Sequence, residues 1–111
     1  MAELDETELY KKAHELKGLS NQLDVALEEA AELIQILVKY RRGVEKKDKY
    51  DIEVIKEKIA EELADNEIMA NQLKVSFGKE FSNQVDNFKK DKLNRLKTRL
   101  GLIMEENKNE K

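Results

Sequence analysis

The chain has 111 residues, of which 41% are charged and only 5% aromatic, with neither Trp nor Pro. That composition disfavours a sheet-rich core and suits long helices, and the lack of cysteine excludes disulfides, zinc–thiolate sites and thiol chemistry. The formal net charge of -3 is small and mixed in sign, so charge alone selects neither nucleic acid nor an anionic membrane.

In chain order, the first expected helix covers Asp5 to Lys17. Leu9, Ala13 and Leu16 recur at helical spacing, and Asp5 followed by Glu8 has the form of a capping box. Gly18 is expected to end it. Ser20 then caps a second helix that runs to about Arg42, just before Gly43, with Asp24 favouring the positive end of the helix dipole. Its main apolar face is read as Leu23, Ala26, Leu27, Ala30, Ile34 and Leu37. A charged connector from Val44 to Tyr50 leads to Asp51, the expected cap of a third helix that ends at Phe77 and Gly78. Its core face is read as Ile52, Ile59, Leu63, Ala70, Leu73 and Phe77. A fourth helix, from about Ser82 to Met104, presents Val85, Phe88, Leu93, Leu96, Leu100 and Ile103, and a polar tail follows from Glu105 to Lys111.

The expected fold is therefore all-α. It is a four-helix bundle built on a long antiparallel hairpin, with residues 1–111 as one domain. Four amphipathic helices in so short a chain have little apolar surface to shield on both sides, so the core is expected to be completed by a second copy. No apolar run approaches the roughly 20 residues of a membrane span, and the acidic N-terminus lacks the basic and apolar regions of a signal peptide. A cytoplasmic protein with no membrane partner is the expectation.

The stretch "LEEAAELIQ", Leu27 to Gln35, places acids inside the most apolar segment of the chain. With Ala30 at the centre of the expected core face, Glu29 lies about 100° and Glu32 about 160° to the same side. Val25 and Ile36 share that stripe, so aliphatic residues bracket the two acids. A solvated face more often flanks its acids with Lys or Arg at four-residue spacing, and this pattern points to a second buried surface. The third helix repeats the device, with Glu62 and Asp65 three apart between Ile55, Ile59, Met69 and Leu73. In an antiparallel pair, Glu29 and Glu32 oppose Glu62 and Asp65, with Lys58 and Asn66 as the only nearby groups able to neutralise or hydrogen-bond them. Carboxylates crowded in a partly desolvated site take up protons or recruit a cation, and an all-oxygen set suits Mg²⁺. A solvated acidic face stands as the simpler alternative.

Glu28-Glu29-x-x-Glu32 followed by Glu62-x-x-Asp65 resembles the EExxE and ExxD motifs of the MazG-like all-α nucleoside triphosphate pyrophosphohydrolases. The surrounding "QLDVALEEAAELIQILVKYRRG", "IKEKIAEELADNEIMANQLKVSFG" and "KLNRLKTRL" resemble the short phage-type and Gram-positive-type members along nearly the whole chain. The resemblance implies Glu29, Glu32, Glu62 and Asp65 as Mg²⁺ ligands, with Mn²⁺ a substitute, and Glu28 as the first acid of the motif, a catalytic candidate that orients water or a second metal. It also implies cleavage between the α and β phosphates of a nucleoside triphosphate, giving the monophosphate and pyrophosphate, by a homodimer or homotetramer. A deoxynucleotide or a noncanonical nucleotide is the expected substrate.

By charge, Lys39, Arg41 and Arg42 on the second helix, with Lys92, Arg95 and Lys97 on the fourth, are candidate phosphate contacts, although a surface cation is the simpler reading of each. "KKDKLNRLKTRL" is read as an amphipathic helix with snorkelling cations, so no nucleic-acid partner is expected. His14, the sole histidine, is read as structural or surface, and Met69 and Met104 as packing residues. The competing function is a non-catalytic helical interaction or adaptor module whose acids only keep the bundle soluble.

Overall fold

The structure, a computed structural model, describes residues 3–46 and 49–102. It contains three helices, α1 (Glu6–Lys46), α2 (Lys49–Phe77) and α3 (Lys79–Arg99), and no strand among the described residues. No described helix is long and apolar enough to cross a membrane. The chain divides into two compact units, Met1–Ser76 and Phe77–Lys111.

The all-α expectation holds, and three helices stand among the described residues, the first of them interrupted at the expected break. The two expected N-terminal helices run on as α1, with a kink where the break was placed: Gly18 has φ 84° and ψ 161°, a region essentially confined to glycine. The expected stop before Gly43 is also overturned. Gly43 lies inside α1, and a Cβ there would sit 2.9 Å from Ile52 Cδ1, so what this glycine provides is close approach of the two helices near their link. Helix α2 likewise begins at Lys49, which moves Asp51 from the expected cap position into the helix.

The start of α1 is closed by a capping box. Asp5 N donates to Glu8 Oε1 at 3.0 Å, and Glu8 N donates to Asp5 Oδ1 at 2.8 Å. Within the first unit, α1 and α2 form the expected antiparallel hairpin. His14 Nδ1 lies 3.0 Å from Ser76 Oγ, Ser76 donates in turn to Gln22 Oε1, and Asn66 reaches Glu29, so early residues of α1 meet late residues of α2. His14 is thus a structural residue.

The packed face differs from the expected one. In α1 the inward residues are Gln22, Val25, Ala26, Glu29, Leu33, Ile36, Tyr40 and Gly43, whereas Leu23, Leu27, Ala30, Ile34 and Leu37 are exposed, Leu27 at 70% and Ile34 at 62%. The hairpin face is centred about 100° from Ala30, on the acid-bearing stripe. Helix α2 matches it: Ile55, Ile59, Glu62, Asn66, Met69 and Leu73 turn inward while Leu63, Ala70 and Phe77 are exposed. Both helices carry two apolar stripes. The hairpin closes on the one with smaller and mixed side chains, where Ala26, Gly43 and the hydrogen-bonding Asn66 allow close approach.

The second unit holds α3. It follows Gly78 (φ 101°) in the chain, and within this unit the rings of Phe77 and Phe81 pack with centroids 4.8 Å apart. The helix ends earlier than expected, in a Schellman motif: Leu102 N donates to Lys97 O at 2.9 Å and Gly101 N to Thr98 O at 3.0 Å, with Gly101 at φ 74°. Ile103, Met104 and the expected tail from Glu105 to Lys111 lie outside the described residues.

Substituting Gly18→Ala tests the kink in isolation, because a Cβ there meets nothing within 4 Å. The cost is then the backbone conformation alone, an expected loss of about 1–3 kcal/mol in urea unfolding.

Candidate functional site

The two acid-bearing turns are locked in register by Asn66. Its Nδ2 donates to the carbonyl of Glu29 across the hairpin at 3.0 Å and to the carbonyl of Glu62, one turn back on its own helix, at 2.8 Å. One side chain thereby ties the backbone of the first acidic motif to that of the second. The aliphatic neighbours Val25, Ile36, Ile55 and Ile59 and the buried Met69 occupy the rest of this inward face.

Glu29, Glu32 and Glu62 converge, with one carboxylate oxygen of each lying within 4.8 Å of the others. Glu62 is only 4% exposed, Glu29 is half-buried and Glu32 is open to solvent. Asp65 is half-buried one turn along α2 and is not part of this three-oxygen group, but its charge acts on Glu29. Loss of solvation, then the charges of Asp65, Glu32 and Glu62, and finally a carboxyl–carboxyl contact with Glu62, push the Glu29 pKa up to about 7.

Oε1 of Glu29 and Oε1 of Glu62 are buried with no hydrogen-bond partner. Unpartnered carboxyl oxygens from opposite helices, joined by a third carboxyl group open to solvent, match the needs of a hard divalent cation that takes a few protein oxygens and keeps other positions for water or ligand. The donor set fits Mg²⁺ or Mn²⁺ on this observation. A shared proton is the alternative occupant.

A cavity of about 340 Å³ opens beside the carboxylates, lined by Glu32, Gln35, Ile36, Lys39, Lys58 and Glu62. Lys39, a candidate phosphate contact by charge, therefore does face the site. Lys58 Nζ lies 3.2 Å from Glu61 Oε1 and 3.6 Å from Glu62 Oε2, and its pKa is raised first by Glu61 and also by Glu62. Gln35 was not a sequence candidate, though its place three residues after Glu32 signals the same face.

The remaining candidates sit elsewhere. Glu28 is exposed, one turn before Glu32 on α1. Arg42 is exposed and does not line the cavity, and Arg41 pairs with Glu45 at 3.9 Å. Lys92 and Arg95 are exposed on α3, where Lys92 flanks an apolar surface of Val85, Phe88, Leu93 and Leu96. No protein-family model, curated protein or solved structure matches the chain.

The raised pKa of Glu29 has a defined sign. A carboxyl that holds its proton more tightly folded than unfolded contributes stability below its ordinary value of 4.5, and that contribution is lost as pH rises through about 7. Without divalent cations, melting temperature is expected to fall between pH 5 and pH 8, and Glu29→Gln should flatten that slope. Adding Mn²⁺ should raise the melting temperature at pH 8 and have little effect at pH 5, because the ligand oxygens must be deprotonated.

Proposed function

We propose that this chain is a Mg²⁺-dependent nucleoside triphosphate pyrophosphohydrolase of the MazG-like type, cleaving between the α and β phosphates to release the monophosphate and pyrophosphate. The observation that carries the reading is the convergence of Glu29, Glu32 and Glu62 from two helices, two of them with orphaned buried oxygens. An acidic surface that served only solubility would leave its oxygens in water.

Glu29, Glu32 and Glu62 would hold the cation, with Asp65 completing the set. The cation supplies Lewis acidity and offsets negative charge on the polyphosphate. The protein's own contribution is positional: Asn66 keeps the two acidic turns opposed, Ile36 walls off one side of the cavity, and Lys39 offers positive charge to a phosphate. Glu28, exposed one turn before Glu32 and outside the cavity lining, is the proposed residue that accepts a proton from water. A deoxynucleotide or noncanonical nucleotide is the proposed substrate, and adjustment or sanitising of a cytoplasmic nucleotide pool the proposed role.

Assembly into a homodimer or homotetramer belongs to the same proposal. Leu23, Leu27, Ile34, Leu37 and Val38 leave an exposed apolar face along α1, and such contiguous surface on a soluble helix is suited to burial against a copy of itself. That same face favours the second reading, a non-catalytic helical adaptor that docks another protein through it.

The two readings separate on product identity. Incubated with a panel of NTPs and dNTPs plus Mg²⁺, the protein should release pyrophosphate rather than orthophosphate, and Glu32→Gln or Asp65→Asn should reduce turnover at least a hundredfold, on the order of the loss typical of a removed charge-stabilising group. Turnover on none of the nucleotides would leave the adaptor. For the assembly, Leu27→Asp combined with Ile34→Asp should convert a dimer or tetramer into a folded monomer in light scattering.

A further inference from the structure

We propose, on the premise that the three carboxylates hold a divalent cation, that Lys58 changes partner when the cation arrives: it leaves Glu62 and, with Lys39, grips the substrate's polyphosphate across the cavity. Lys58 is thus both the internal counterion of the metal-free site and a phosphate-binding residue of the metal-loaded one.

Three observations carry this. First, Lys58 on α2 and Lys39 on α1 line the same cavity of about 340 Å³, so the two ammonium groups come to it from opposite helices. Second, Lys58 contacts the buried oxygen set through Glu62 Oε2 at 3.6 Å, while Glu62 Oε1 has no partner. The carboxylate that a divalent ion needs is therefore partly committed to a lysine. Third, the Lys58 side chain is 50% exposed whereas that of Glu62 is 5% exposed, so the lysine can rotate and the acid cannot follow it.

Electrostatics then sets the direction of the exchange. A dication on Glu62 neutralises the charge that attracted Lys58 and is itself a like-charged neighbour, so that ion pair weakens. The remaining pair with Glu61 is an exposed i,i+3 contact and holds the lysine only loosely. Among the residues lining the cavity, Lys39 and Lys58 balance Glu32 and Glu62; a bound dication leaves the wall net positive. A polyphosphate chain, repelled by the acids of the metal-free site, meets two ammonium groups and the cation once the site is loaded. Metal and polyphosphate each tighten the other, as linkage requires.

The test uses the full-length protein, with Mn²⁺ and inorganic pyrophosphate as probes in calorimetry. Removing the charge by Lys58→Met should move the two affinities in opposite directions. Mn²⁺ alone should bind about two- to fivefold more tightly, because a competing cation is gone. Pyrophosphate, measured at saturating Mn²⁺, should bind about tenfold more weakly, because a charge-assisted contact is lost. Lys58→Arg, which keeps the charge, should retain pyrophosphate binding to within a few-fold. Weakening of both affinities in Lys58→Met would mean a purely structural ion pair and overturn the proposal, as would no change in either. If the unaltered protein binds no Mn²⁺, the cation-site premise itself falls and the proposal falls with it. That failure is read on the unaltered protein and so is distinct from failure of the lysine exchange, which is read on the variant.

Discussion

Crowding of like charges between two helices is the constraint on which the rest of this structure turns. Glu29, Glu32 and Glu62 bring carboxylate oxygens within 4.8 Å of one another, and two of those side chains carry buried unpartnered oxygens. Such a group is stable only with a proton or a cation in its midst. Lost solvation and the charges of Asp65, Glu32 and Glu62 together shift the Glu29 carboxyl upward. The position of Asn66 shows that the crowding is held in place by the fold: its amide donates both hydrogens to the backbone of the acidic turns and none to the carboxylates.

Placing acids on the inward face has a consequence on the outward one. Each helix of the hairpin has two apolar stripes, and only one can meet the partner helix. Because the hairpin closes on the stripe bearing Glu29 and Glu62, the larger aliphatic stripe of Leu23, Leu27, Ile34 and Leu37 faces solvent. Site and exposed apolar face are thus two results of a single choice of helix rotation. Covering that face with another copy would remove apolar surface from water at the ordinary rate of about 25 cal/mol per Å², a gain unavailable to the isolated chain.

The glycines mark where the backbone changes course and where it does not. Gly18, Gly78 and Gly101 all have positive φ and sit at a kink, a helix junction and a helix end. Gly43 is different in kind. It remains helical, and its missing side chain makes room for Ile52 where α1 and α2 come together. Around the kink, Gln22 is 2% exposed with its Nε2 unpaired, while its oxygen accepts from Ser76, so the packing there is settled by hydrogen bonding as well as by apolar contact.

The sequence by itself determined the helical class, the antiparallel hairpin, the capping box at Asp5 and Glu8, and three of the four acids expected to converge, Asp65 lying outside the group. All of these follow from local rules: helical period, cap chemistry, and residues three or four apart sharing a face. It even flagged Lys58 and Asn66 as neighbours of the acids. Only the tertiary structure decided which apolar stripe is the inner one, since periodicity locates stripes without ranking them, and close approach favours small residues and a bridging amide over bulky leucines. It likewise decided that Lys39 shares a cavity with Glu32 and Glu62 while Arg42 does not line it, because charge along a sequence says nothing of which helix face a cation ends on once the rotation of that helix is set by packing.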